Sequence, residues 1–78
     1  MDTDLIKRIT IDPNVMVGKP VIRGLRISVN QILKSLASGI EQDELLNEYP
    51  ELEKEDILAA LLYASNLIES EKIYPIAS

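Results

Sequence analysis

The chain has no cysteine, no histidine, no tryptophan and no phenylalanine, and its only aromatic residues are three tyrosines. Without cysteine no disulfide can staple the fold. Without cysteine or histidine no ordinary zinc site can form. A strand–helix, glycine-rich phosphate loop is also missing. General acid–base work could in principle use paired carboxylates, but the acids here fall at helix starts in a chain too small for a deep pocket. Catalysis, metal and cofactor are therefore not expected. The start, Met1-Asp2-Thr3-Asp4, is acidic and lacks an apolar signal core. No apolar run approaches the roughly 20 residues that span a membrane. The expectation is an intracellular, cytoplasmic protein with no membrane association and an aliphatic core.

Seventy-eight residues make a single domain, 1–78. A chain this short buries only about 60% of its unfolded surface. With disulfides and zinc absent, oligomerisation is the remaining common aid, and a homodimer is expected.

What is present is unevenly charged. Residues 1–34 hold six Lys/Arg against three Asp/Glu, and residues 35–78 hold two against ten, which together give the net charge of −5. The first part contains a basic stretch, Val17-Gly18-Lys19-Pro20-Val21-Ile22-Arg23-Gly24-Leu25-Arg26-Ile27. Such asymmetry suggests two surfaces with different partners.

The pattern along the chain divides it into a β-rich basic arm (1–28), three helices (29–70) and a tail (71–78). Residues 6–11 alternate as a short strand, and Leu25-Arg26-Ile27 reads as a second strand able to pair with it. Turns fall at Asp12-Pro13-Asn14, Gly18-Lys19-Pro20 and Arg23-Gly24. Ser28 is a good N-cap for a helix over 29–38, and Gly39 stops it. Acids at 41, 43 and 44 open a second helix, with Leu45, Leu46 and Tyr49 as its buried stripe and Pro50 as its end. Glu53-Lys54-Glu55-Asp56 opens the third, which runs to about Ser70. Its buried stripe is read as Ile57, Leu58, Leu61, Leu62, Ala64, Ser65 and Ile68, with Ala59, Ala60, Tyr63 and Asn66 outward. Gly18, Pro20, Gly24, Gly39 and Pro50 are the structural turn residues. The second and third helices are joined by a short proline-containing turn, as in helix-turn-helix domains.

Arg8-Ile9-Thr10-Ile11-Asp12-Pro13, Gly18-Lys19-Pro20-Val21-Ile22-Arg23-Gly24-Leu25-Arg26-Ile27, Gly39-Ile40, Glu48-Tyr49-Pro50 and Glu55-Asp56-Ile57 together resemble the bacterial family called domain of unknown function 433. The resemblance spans roughly residues 8–70. It implies a mainly α fold, a homeodomain-like trihelical bundle with a short N-terminal β arm. It also implies the antitoxin half of a type II toxin–antitoxin pair, neutralising a PIN-like ribonuclease encoded next to it. This chain departs from the common pattern at Glu41-Gln42, where many members carry Ser-Pro or Thr-Pro, and at Glu53, where many carry a Thr cap.

Each candidate site has a structural alternative. Lys7, Arg8, Lys19, Arg23 and Arg26 could contact nucleic-acid phosphates or a partner's carboxylates. The arginines could instead bond helix C-terminal carbonyls or the acidic half of the same fold. Glu53, Glu55 and Asp56 could meet a basic partner or simply stabilise a helix start. Tyr74 and Ile76 in the tail could add to a partner's edge or groove, or fray. As a recognition helix the third helix is poor, because it opens with three carboxylates and one lysine, and DNA affinity rests on cation–phosphate contacts. Three functions remain: an antitoxin, with or without repression of its own operon, a stand-alone DNA-binding regulator using the basic arm, and an interaction module with no nucleic-acid role.

Overall fold

The structure is a computed structural model that describes residues 3–71, with side chains over 4–70. The chain runs α1 (Thr3–Ile6), β1 (Ile9–Thr10), a turn at Met16–Gly18, β2 (Val21–Ile22), α2 (Val29–Ala37), α3 (Gln42–Glu48) and α4 (Lys54–Glu71). The fold is a small, mainly helical domain with a minimal two-stranded sheet. At about 1.5 Å per residue the 18 residues of α4 span roughly 27 Å. That helix is the hub against which α1, β1, α2 and α3 all pack.

Local signals explain most of the helix ends. The Ser28 hydroxyl accepts from the Gln31 N–H at 3.0 Å and caps α2. At the other end Gly39 has φ +99°. The Gly39 N–H donates to the Leu36 carbonyl at 3.0 Å and the Ile40 N–H to the Ser35 carbonyl at 3.2 Å. That pair of bonds is a Schellman stop, which needs the left-handed residue glycine supplies. Ser28→Ala is expected to cost about 1 kcal/mol, read as a lower urea midpoint with an unchanged slope. No change in midpoint would mean that water replaces the cap without loss.

The N-terminal arm differs from the expectation in two ways. Of the strand expected over 6–11 only Ile9–Thr10 forms, and Ile6 ends a short helix, Thr3–Ile6. The second strand is Val21–Ile22, not Leu25–Ile27, and pairs antiparallel with β1 as Ile9↔Ile22 and Thr10↔Val21. Arg23 and Gly24 have φ +43° and +72°. With the Leu25 N–H donating to the Ile22 carbonyl at 2.7 Å, they form a tight turn of the kind that reverses a hairpin. The chain folds back, Ile22 donates to the Ile27 carbonyl at 3.0 Å, and Val21 bridges Ser28. Strand β2 thus has neighbours on both edges.

The core joins Ile22, Ile27, Val29, Ile32, Leu45, Leu52, Ile57 and Ala60. The phase of α4 is a correction. Ala59 and Ala60 are fully buried, whereas Leu58, Leu61 and Ile68 are exposed by 42%, 45% and 57%. The two alanines lack long side chains, so the α4 backbone can approach the rest of the core closely there. The side chain that sets this phase is Asp56.

Candidate functional site

Asp56 is the third residue of α4 and its side chain is completely buried. Each of its oxygens accepts two hydrogen bonds. The Arg23 Nε donates to Oδ1 at 3.1 Å and its Nη2 to Oδ2 at 2.9 Å. The Arg8 Nη1 donates to Oδ1 at 3.0 Å. The Glu53 backbone N–H donates to Oδ2 at 2.8 Å. Four bonds fill the acceptor capacity of a carboxylate. The last of them is also a helix cap, because a side chain at the third position reaches back to the amide before the first turn.

The arginines carry further contacts. The Arg8 Nη1 also donates to Glu53 Oε1 at 2.7 Å, and the Arg23 Nη2 to the Glu51 carbonyl at 2.7 Å. Two guanidiniums from the β layer thereby clamp the start of α4. Arg8 directly precedes β1, and its carbonyl accepts from the Arg23 N–H at 2.7 Å, so the sheet itself sets the two side chains next to each other. The Gly24 N–H donates to the Thr10 hydroxyl at 2.9 Å and closes the turn. Arg23 holds a positive φ that a residue with a Cβ adopts only at a cost of order 1–3 kcal/mol. Its bidentate contact with Asp56 is the compensation the geometry offers.

The charges respond accordingly. Burial pushes the Asp56 carboxyl up, but the hydrogen bonds from Arg23, the Glu53 amide and Arg8 outweigh it and hold the group below the ordinary carboxylate value. The Arg8 guanidinium is raised by its bonds to Glu53 and then Asp56. That of Arg23 is raised mainly by Asp56. All three groups stay charged over the physiological range.

The five basic candidates therefore separate. Arg8 and Arg23 are spent on the acidic half of the same fold. Lys7, Lys19 and Arg26 are exposed, with Lys7 3.8 Å from Asp4. The acidic candidates separate too. Asp56 is inaccessible to a partner, which corrects its placement in a docking surface. Glu53 is half tied by Arg8, and Glu55 is exposed. Tyr74 and Ile76 lie outside the described residues. Of the turn residues, Gly18, Gly24 and Gly39 all have positive φ, Pro50 follows the end of α3, and Pro20 receives the Val29 N–H on its carbonyl at 3.0 Å. Among the described residues no group of three or more carboxylates is placed to hold a metal ion, and no helix there is long and apolar enough to cross a membrane.

Two surface features were not anticipated. One is the turn at Met16–Gly18, where three successive residues have φ of +49°, +58° and +77°. Val17 is β-branched, a type that rarely enters this region, and it is 91% exposed. No periodicity in Val15-Met16-Val17 signals a left-handed turn; the following glycine is the only hint. The second is an open groove of about 310 Å³ between α2 and the second half of α4, lined by Pro20, Val29, Leu33, Tyr63, Ala64 and Leu67 with Lys19 at its edge. Leu67 falls on the core side of α4 but beyond the core's reach, and is 48% exposed.

A small helical domain locked to its β arm by a buried carboxylate is the class that sequence and geometry define. The chain belongs to the family described as protein of unknown function (DUF433), whose model matches residues 9–64. It is 36% identical over 56 residues to the uncharacterized protein y4eO of Sinorhizobium fredii (strain NBRC 101917 / NGR234). That match covers 72% of this chain and 25% of the relative, so the chain spans about a quarter of that protein's length. It also resembles the crystal structure of a DUF433 member from Anabaena variabilis ATCC 29413, with a TM-score of 0.75 and 30% identity, over 90% of this chain and 80% of that one. The residues of the Asp56 clamp, Arg8 apart, all fall inside the matched segment.

Proposed function

We propose that this protein acts by binding, as the antitoxin of a toxin–antitoxin pair that holds a PIN-like ribonuclease inactive. The observation that carries this reading is the closure of Arg8 and Arg23 on Asp56. It pairs two cations of the basic arm with the acidic half of the same fold, although both side chains stay partly exposed. Glu41, Asp43, Glu44, Glu48, Glu51 and Glu55 meanwhile remain exposed on α3, the turn after it and the start of α4. Such a surface repels a phosphate backbone and suits a cationic protein. A ribonuclease needs cationic surface to hold RNA, so an acidic inhibitor competes for the same ground.

We read α3, residues 49–53 and α4 as a homeodomain-like helix-turn-helix used as a scaffold rather than a DNA reader. The outward residues of the first turn of α4 are Lys54 and Glu55, a poor set for a major groove.

Co-expression with the product of the neighbouring gene tests the reading. The expected result is a stoichiometric complex in which RNA cleavage is suppressed and which loosens as salt rises. The double reversal Glu44→Lys with Glu48→Lys is expected to weaken it about tenfold or more. A ribonuclease that stays fully active beside saturating folded protein would sink the proposal. Operator binding with a salt dependence implying several phosphates would favour the DNA-regulator reading instead.

A further inference from the structure

The groove between α2 and α4 stops one turn short of the end of α4. Leu67 is the last α4 residue that lines it, and the helix runs roughly 6 Å further, to Glu71. Leu33 and Tyr63 in its lining are half-buried, and Leu67 is 48% exposed. Lys19 and Asn30 border it and are exposed. At about 310 Å³ it lies at the low end of the range that small ligands fill, roughly 300–1,000 Å³, which is room for a few side chains. The chain continues past Glu71 as Lys72-Ile73-Tyr74-Pro75-Ile76-Ala77-Ser78, beyond the described residues. Ile73, Tyr74 and Ile76 are large and apolar, and the segment holds no acid, so burying it strands no carboxylate.

We propose that this segment folds back into the groove of its own chain, with Tyr74 against Leu67 and Ile76 against Tyr63. Reach and spacing carry the argument. Lys72 and Ile73 supply about 7 Å of chain, enough to return the one turn from Glu71 to Leu67. In extended backbone the Cα atoms of Tyr74 and Ile76 are about 7 Å apart and their side chains share one face. Leu67 and Tyr63 are four residues apart on α4, roughly 6 Å along its axis, so the two spacings match. Pro75 sits between the two anchors. A proline cannot continue a helix, and it biases the residue before it to extended backbone. Tyrosine also suits a site with apolar walls and a wet rim. Tethering decides the occupant. A segment anchored one turn away acts at an effective concentration of order millimolar. A second copy or a separate peptide would have to exceed that to enter first. The contact lies within one chain, so it stands apart from the ribonuclease reading.

The chain has no tryptophan, so Tyr74→Trp places a single reporter on the contact in the full chain. Its emission should be blue-shifted, and acrylamide should quench it about threefold less than in the same protein carrying Ile76→Asp. Ile76 lies outside the described fold, so that second change leaves the domain itself intact. Leu67→Glu, at a side chain that already reaches solvent, should remove the protection to the same extent with an unchanged circular dichroism spectrum. Because the contact is intramolecular, the protection should be constant from about 1 to 100 μM protein. Solvent-like emission from Tyr74→Trp would overturn the proposal, as would protection that survives Ile76→Asp or Leu67→Glu. Protection that grows with protein concentration would overturn it too, because a second copy would then be the occupant.

Discussion

Asp56→Ala will be the most destabilising single polar substitution in this protein, at about 3–5 kcal/mol. The side chain is fully buried, and all four of its acceptor positions are filled by Arg8, Arg23 and the Glu53 amide. Its loss frees two cations that the β layer holds side by side and opens the cap of α4 in the same step. Arg23 is also left in a left-handed conformation with only the Glu51 carbonyl still accepting from it. Natural domains have only about 5–15 kcal/mol in total, and one this small sits low in that range, so the variant should be partly unfolded at 37 °C. Urea melts followed by circular dichroism give the number, and a loss under about 1 kcal/mol would show that the clamp only offsets its own desolvation.

The same clamp sets the acid limb of stability. The folded carboxyl lies below the ordinary value of about 3.9. A group depressed on folding contributes stability that is present above its unfolded pKa and lost as pH falls through its folded pKa. Wild-type protein should therefore weaken below about pH 4. Replacing both Arg8 and Arg23 by methionine leaves only the Glu53 amide to hold the carboxyl down against burial, the largest of the opposing effects, so the carboxyl rises. The sign then reverses: the Asp56 contribution is present at low pH and fades as pH rises through the raised value. A double variant whose acid limb matches wild type would show that other carboxylates control it.

The places where sequence reading succeeded and failed have one physical cause. Ser28, Gly39 and Pro50 act on the backbone within a few residues of themselves, so their caps, stops and turns are legible without any tertiary knowledge. The three helix spans follow from them nearly to the residue. The strand at 21–22 was hidden because Val21-Ile22 is too short for a period to show, although the Arg23-Gly24 turn that ends it was legible. Arg8 and Arg23 illustrate the deeper limit. Their chemistry is plain in the sequence and their partner is not, because Asp56 lies 48 and 33 residues away. The choice between an outward basic arm and an inward clamp was a question about topology. Once β1 and β2 pair and place the two guanidiniums together, the nearby helix start becomes their counter-charge.

The phase of α4 follows from that clamp and gives the second large effect. An 18-residue helix rich in Leu, Ile and Ala on several sides can turn more than one face inward, and periodicity alone favours the face with the larger leucines. Asp56 breaks the tie. With its carboxylate pinned to two arginines, the residues one turn on along the same side are Ala59 and Ala60, and Ile57 enters the core beside them. Ile57→Ala should accordingly cost about 2–5 kcal/mol, the range for emptying a buried site of this size. Leu58→Ala and Leu61→Ala should each cost less than about 1 kcal/mol, because both side chains already reach solvent. The opposite ranking would mean that α4 is rotated by about a third of a turn. It would also undo the buried clamp, since a rotation that brings Leu58 and Leu61 inward carries Asp56 away from Arg8 and Arg23.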